Sequence, residues 1–372
     1  MTSLHCEDLG SDNAGDWEEF NRRSPDGSIY HTLRWKEVIE RSFGYRSRYF
    51  LVYDGKVPVA ICPFFEVPLK GKRSLIPPPA TDIKHVVVGR PTADRSITDE
   101  ITAKLTDTAK ENGCSYIIVA SPAPELIEST RFIYNERPLK QYPLRVNGYF
   151  LLDLGKNDPD YIWNTLFSGK KHNQRKYIRR FEQSGFSITD SRDKKDFDRF
   201  YKYYTENLNH IGATPFDRSH FDILFDRFSR DEIRMTFLEK EDLFAGGAMA
   251  LLDAERGVMH IRYLALNRDL PGTYHPPYAL FWEAIKYAHS EGLRAVCFGT
   301  NNSDENDRNY AMKKGFGSDY HHYYSEIIPA NYRSRLMYAA YRRLNMLKEY
   351  EGGHVNECET RGREDGRVSE HV

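Results

Sequence analysis

The densest run of side chains able to do chemistry is Ser168 to Gly185, SGKKHNQRKYIRRFEQSG. Read as a helix, it sets Lys171, Arg175 and Arg179 at i, i+4 and i+8, so three cations share one face. Tyr177, Ile178 and Phe181 make a second, apolar face that burial can anchor. Arginine forks pair bidentately with phosphate, which suits the stripe to a phosphate-rich ligand; a solvated surface face is the structural alternative. Ser168-Gly-Lys-Lys171 is not a Walker-type loop, because the upstream glycine and the following Ser/Thr are missing. Farther on, Arg262 sits in a strand-like run, where a buried guanidinium requires an anionic partner. His321 and His322 are neighbours on another such run and point to opposite faces, so they do not share a metal ion.

The elements that must position these groups are those of a large α/β protein. A chain of 372 residues exceeds one ordinary core and suggests two domains. Its 53 basic and 54 acidic residues nearly cancel, which excludes a protein that coats nucleic acid with its whole surface and makes any polyanion site local. No stable DNA binding is expected. The five cysteines, Cys6, Cys62, Cys114, Cys297 and Cys358, lie far apart without a CxxC pair, which fits a reducing compartment better than a disulfide framework or zinc site. The first sixteen residues carry acids where a signal peptide needs an apolar core, and no stretch is apolar for long enough to span a bilayer. The expectation is a cytoplasmic protein.

In order, the periodicity predicts a helix over 17–23, a turn at Ser24-Pro-Asp-Gly27, and a helix containing Trp35 that is capped by Thr32. Strands over 49–53 and 57–67 meet at the Asp54-Gly55 hairpin turn. A rigid Pro77-Pro-Pro79 loop, a helix over 96–112 ended by Gly113, and strands over 115–120 and 147–154 follow. The second half reads as a strand at 186–189, helices over 194–209 and 217–228, and strands over 232–239, 243–253 and 258–266. Gly246-Gly247 marks a bulge or a close backbone approach. A helix over 276–290, Gly292, a strand at 295–298, a helix over 304–314 and a strand over 316–328 complete it. A basic amphipathic helix over 331–347, expected to pack on the second domain, precedes a polar tail expected to be disordered. Ala109 to Ile118 and Ala288 to Cys297 share a helix end, a glycine and a buried strand, each after a hairpin. That shared order points to a tandem repeat of one α/β unit.

On Tyr30-His-Thr-Leu-Arg-Trp35, the hairpin after it, Lys170 to Arg179, Pro277 to Ile285 and Ala311-Met-Lys-Lys-Gly-Phe-Gly317, the chain resembles the FemAB-like branch of the GNAT acyltransferase superfamily. The resemblance spans roughly 17–329. It implies an α/β (α+β) fold of two tandem GNAT-like domains, with mixed sheets flanked by helices. The boundaries expected are 1–155, a basic interdomain helix over 156–185, a second domain over 186–347, and a tail from 348.

The resemblance implies N-acyl or aminoacyl transfer to an amine of a phosphate-bearing, small-molecule or lipid-linked, envelope-type or polysaccharide-related acceptor. Peripheral contact with the inner membrane surface and with tRNA belongs to the same implication. The stretch that binds acceptor diphosphate in the peptidoglycan-bridge members matches Lys171, Arg175 and Arg179, and their catalytic lysine matches Lys313. Trp35, Arg262, Tyr263 and Tyr278 join the substrate-binding set, although for Trp35 core packing is the commoner role of such a residue. The family's Asp-Phe-Gly is Cys297-Phe-Gly299 here, with no carboxylate, and Met312 replaces an aromatic residue.

No permanently bound cofactor is implied; the donor is acyl-CoA or aminoacyl-tRNA. The loop that would hold a CoA pyrophosphate, Arg268 to Pro277, ends in two prolines that lack the N–H groups such a cradle uses. Two alternatives stay open: a tRNA-dependent peptidyltransferase of the peptidoglycan-bridge type, and a non-catalytic binder of nucleic acid or lipid surfaces.

Overall fold

Pro63 decides how the first hairpin is cut. Proline cannot donate to a strand ladder, and the expected long strand is two: β4 (Val57–Cys62), paired with β3 (Phe50–Asp54), and β5 (Phe65–Leu69), which turns back into β6 (Lys72–Ile76). This computed structural model describes residues 4–69, 71–89, 95–122, 145–168, 173–191 and 194–343. Lys171 and the expected disordered tail lie outside the described residues.

The N-terminal residues form β1 (Leu4–Asp8) against β3, a strand for which the sequence reading made no prediction. Helix α1 (Ala14–Arg23) and helix α2 (Leu33–Phe43) follow. Thr32 caps α2 by accepting from the Trp35 N–H at 3.2 Å, and Gly44 ends it at φ 67°, a left-handed value that suits glycine. Beyond the short β2 (Arg46–Ser47) and β7 (Val87–Val88), α3 (Arg95–Glu111) crosses to β8 (Tyr116–Ser121), and β9 (Arg145–Asp153) closes this part of the chain. The second half runs α4 (Pro159–Asn164), α5 (Gln174–Glu182), β10 (Ser187–Ser191), α6 (Lys194–His210), α7 (Arg218–Arg227), β11 (Ile233–Lys240), β12 (Leu243–Asp253) and β13 (Val258–Leu266). It ends with α8 (Pro276–Ser290), β14 (Ala295–Asn302), α9 (Arg308–Lys314), β15 (Asp319–Pro329) and α10 (Tyr332–Arg343). The register of β11 on β12 shifts beside Gly246, where the glycine pair was read as a bulge.

Among the described residues, β1-β3-β4-β7 form one sheet, and β10-β11-β12-β13-β14-β9-β15-β8-β6-β5-β2 form a continuous second sheet. The order interleaves the halves. Strand β9 lies between β14 and β15, and β15 passes from β9 (Asp319 opposite Leu151) to β8 (Pro329 opposite Tyr116). A boundary at 155 thus leaves β9 on the first-half side of the chain, although both its strand partners come from the second.

The cores interleave too: Trp17, Trp35 and Tyr49 pack in one apolar cluster with Phe200, Phe221 and Tyr263. Helix α10 contacts β15 at its first-half end, where Ile328 and Ala330 join the cluster of Ile97, Ile101 and Ile117. Packing against the second half was expected, and β15 belongs to it; the ladder from β15 to β8 brings that contact beside the first-half core.

Candidate active site at the parting of two parallel strands

Strands β13 and β14 run parallel only from Val258–His260 opposite Ala295–Cys297, and then part. Two irregularities open the gap. The register of β12 on β13 slips where Tyr263 faces Met249 but Ile261 faces Ala250, which makes Arg262 the extra residue of a bulge. On the other strand, the pairing of β14 with β9 breaks between Cys297 and Thr300, around Gly299 at φ 75°.

The broken pairing frees two carbonyls, and Lys313 takes them: its Nζ donates to Thr300 O at 2.8 Å and to Gly299 O at 3.4 Å. Its helix, α9, is fixed by Asp307, whose Oδ1 accepts from the N–H groups of Asn309 and Tyr310 at 2.8 and 2.9 Å. Lys313 is 8 % exposed. Burial lowers its pKa from 10.5 to about 8 against the opposing pull of Asp82, Cys297 and Asp307. This is an amine that can exchange protons near neutrality.

Asp82 comes from the first half, in the loop that follows the three prolines. Its Oδ2 accepts from Tyr30 Oη at 3.1 Å and its Oδ1 from Arg262 Nη1 at 3.3 Å, while Arg262 Nη2 donates to Ala80 O at 2.6 Å. Burial alone would lower the Arg262 pKa; Asp82 overrides it and raises it, so the guanidinium stays charged. This is the anionic partner that a strand-borne arginine requires. A Cβ placed on Gly299 would lie 3.7 Å from both Asp82 carboxylate oxygens. Asp82 thus brings a carboxylate from the first half beside Cys297-Phe-Gly299. Burial, then Asp82, pushes the Cys297 thiol up to about 12, which leaves it protonated and unsuited to nucleophilic attack.

The basic helix α5 lies against the same corner. Ile178 and Phe181 are buried, each contributing about 2 kcal/mol of apolar burial, and Tyr177 meets the His275 ring at a tilt and the Tyr278 ring edge-on, at 3.8 and 4.8 Å between centroids. The Arg175 and Arg179 guanidiniums lie 5.1 and 5.6 Å from the Trp163 ring, and Trp163 rests on Trp282. Arg175 is half-buried, and its Nε has no partner among the described residues. At its first turn the helix touches the segment that carries Lys313: a Cβ on Gly315 would sit 1.5 Å from Gln174 Nε2. Gln174 is itself buried, and its Oε1 has no partner among the described residues.

Two residues expected to bind substrate face the core instead. Trp35 is fully enclosed; its Nε1 donates to Thr81 Oγ1 at 3.0 Å and its ring meets Tyr30, so it holds the loop that carries Asp82. Tyr263 is buried with its ring 5.2 Å from the Arg262 guanidinium, and its Oη shares a 2.8 Å hydrogen bond with His220 Nε2. Tyr278 is half-buried at the start of α8. Three residues escaped sequence reasoning: Tyr30 was read only as part of a motif, Gln174 as part of a basic run, and Asp82 not at all. The signal for Asp82 was there, as the one acid in the run 77–88.

The start of α8 is closed to a phosphate. Pro276 and Pro277 have no N–H, the Tyr278 N–H donates to His275 O at 3.1 Å, and His275 is held at φ 50° with Tyr177 tilted against its ring.

Residues 168–312 match the model of the acetyltransferase (GNAT) domain, a match that ends one residue before Lys313. No curated protein matches the sequence significantly. Among solved structures, FemX superposes with a TM-score of 0.62 at 14 % identity, over 90 % of this chain and 99 % of that one. A tandem GNAT protein from the clavulanic acid biosynthesis pathway gives 0.57 at 13 %, over 89 % and 99 %. L-PGS from Bacillus licheniformis gives 0.53 at 13 %, over 91 % and 98 %. At these identities the likeness is one of fold.

Proposed function

We propose that the chain, which matches a GNAT acetyltransferase domain over residues 168–312 and shares the fold of FemX and of a tandem GNAT protein, is an acyltransferase that acylates the amine of a phosphate-bearing, envelope-type acceptor. The observation that carries this reading is Lys313, a buried amine of lowered pKa at the parting of β13 and β14, facing a carboxylate from the other half.

Aminolysis of an ester or thioester requires that the attacking amine lose a proton and that an oxyanion be stabilised as the tetrahedral intermediate forms. In its neutral form Lys313 donates two hydrogen bonds to the carbonyls of β14 and keeps a lone pair to accept the proton. Asp82 and Arg262 fix the electrostatics around it. Arg175 and Arg179, already oriented on Trp163, take the acceptor's phosphates, and Lys171 extends the same face in sequence. Tyr278 lines the approach beside Tyr177.

The donor is an activated ester or thioester, carried by CoA or by tRNA. The closed start of α8 supports a carrier whose phosphates are not held there. A domain of a putative lysylphosphatidylglycerol synthetase among the structural neighbours supports a phosphate-bearing acceptor. The reading puts the enzyme on the cytoplasmic side of the envelope.

The test is transfer to phosphate-bearing amines from acyl-CoAs and from charged tRNA, with ribonuclease abolishing only the second. Activity that survives Lys313→Ala combined with Arg175→Ala overturns the site.

A further inference from the structure

Among the described residues, large exposed hydrophobics are mostly scattered singly, but three of them, Tyr332, Leu336 and Met337, fall within six residues at the start of α10, at 72, 54 and 52 % exposure. The orientation of the helix is fixed by its other side. Ser334 is buried, its N–H donates to Asn331 Oδ1 at 2.9 Å, and Tyr338 Oη donates to Glu326 Oε1 at 3.2 Å. Ser334 and Tyr338 are four apart and mark the docked face. Tyr332 with Leu336, and Arg333 with Met337, are the corresponding pairs on the outward face, beside exposed Arg335. From Tyr332 to Arg343 the helix holds four arginines and no acidic residue.

The cationic surface continues onto the sheet. Ala330 N–H donates to Ser115 O, and Ser115 N–H donates to Arg73 O, so three neighbouring backbones are laced together just before α10 begins. Two strand spacings, roughly 10 Å, separate Arg73 from the root of the helix. Arg73 and Lys72, at the end of the β5–β6 hairpin, are both exposed.

We propose that this face, α10 with the Lys72–Arg73 edge, is a contact for an anionic bilayer. Leu336 and Met337 insert at the level of the headgroups, Tyr332 sits at the boundary with its hydroxyl in water, and Arg333 and Arg335 reach lipid phosphates. Charge selects this occupant over a second copy of the chain. A two-fold contact would set Arg333 and Arg335 against their own counterparts. The inference stands on exposure and charge at α10 and does not depend on the transferase reading.

The experiment is co-sedimentation of the full chain with vesicles of phosphatidylcholine, with and without phosphatidylglycerol. Binding is expected only to the anionic vesicles and weakens as salt screens the arginines. Leu336→Glu with Met337→Glu, and separately Arg333→Glu with Arg335→Glu, should each lower the partition coefficient about tenfold or more. Both pairs are exposed, so thermal melting should match the parent and transfer to a soluble acceptor should persist. Equal binding to both vesicle types, or binding unchanged in both variants, overturns the proposal. So does a concentration-dependent dimer that Leu336→Glu dissolves.

Discussion

The two halves contain the same structural device and use it differently. In the first, β6 leads through α3 to β8, and the two strands run parallel only at Ser74 and Leu75 opposite Tyr116 and Ile117. In the second, β13 leads through α8 to β14, parallel over three pairs before they part. The first gap is plugged by the chain itself: Val86 N–H donates to Ala120 O where β6 would have continued, and Val86 packs in an apolar cluster with Phe64 and Ile328. The second gap holds Lys313, Arg262 and, lent by the first half, Asp82. The repeated frame makes a place where strands separate. What the chain inserts there decides whether that place is packing or chemistry.

The sharpest way to break this contrast is Lys313→Met. If the second gap is the working one, transfer falls by about a hundredfold or more, while the protein becomes more stable near pH 7. Folding lowers the Lys313 pKa from 10.5 to about 8. Between those values the unfolded chain binds more proton, so native stability rises with pH there. Below pH 8 the whole penalty, about 3 kcal/mol, is in force. Melting of parent and variant at pH 7 and above pH 10 should show the variant's advantage at the lower pH alone. Wild-type transfer should rise with pH through about 8, because the neutral amine accepts the proton. A rate that falls there instead assigns Lys313 to the oxyanion.

Asp82→Asn tests whether the first half serves the second. It leaves Arg262 buried without its counter-charge, and unfolding in denaturant should show a loss of about 3 kcal/mol together with a drop in kcat. Arg175→Ala with Arg179→Ala should raise KM for a phosphate-bearing acceptor about tenfold, leave kcat nearly unchanged, and flatten the salt dependence. A fall in kcat alone would remove the phosphate assignment. Val86→Ala is the control in the plugged gap. It should cost about 2 kcal/mol as a core cavity and leave activity per folded molecule untouched.

How much of this the sequence discloses follows the range of the interactions. Local periodicity and turn chemistry placed the hairpin at Asp54-Gly55, the Thr32 cap, the glycine-ended helices and the basic helix with Ile178 and Phe181 buried. They also revealed the repeated order of elements. Long-range pairing left no local trace. Nothing near 145–153 says that its partners lie at 295–302 and 319–325, and a 3.6-residue pattern cannot say which half α10 covers. The candidate site divides in the same way. Lys313 and the arginines were visible as types in a motif, but the burial of Lys313 and the reach of Asp82 to Gly299 depend on how the halves meet. Trp35 was placed correctly on its helix, but its indole turns inward to Thr81.

The interleaving of β9 between β14 and β15 also sets a timetable for synthesis. When the ribosome has made β8 and β9, neither has its final partners, since both wait for β15. At roughly 5–20 residues per second that wait is on the order of ten seconds, with apolar strand edges open throughout. The nascent chain therefore has an early need for a chaperone, and a fragment that stops before Asp319 leaves both strands unpartnered on their β15 side.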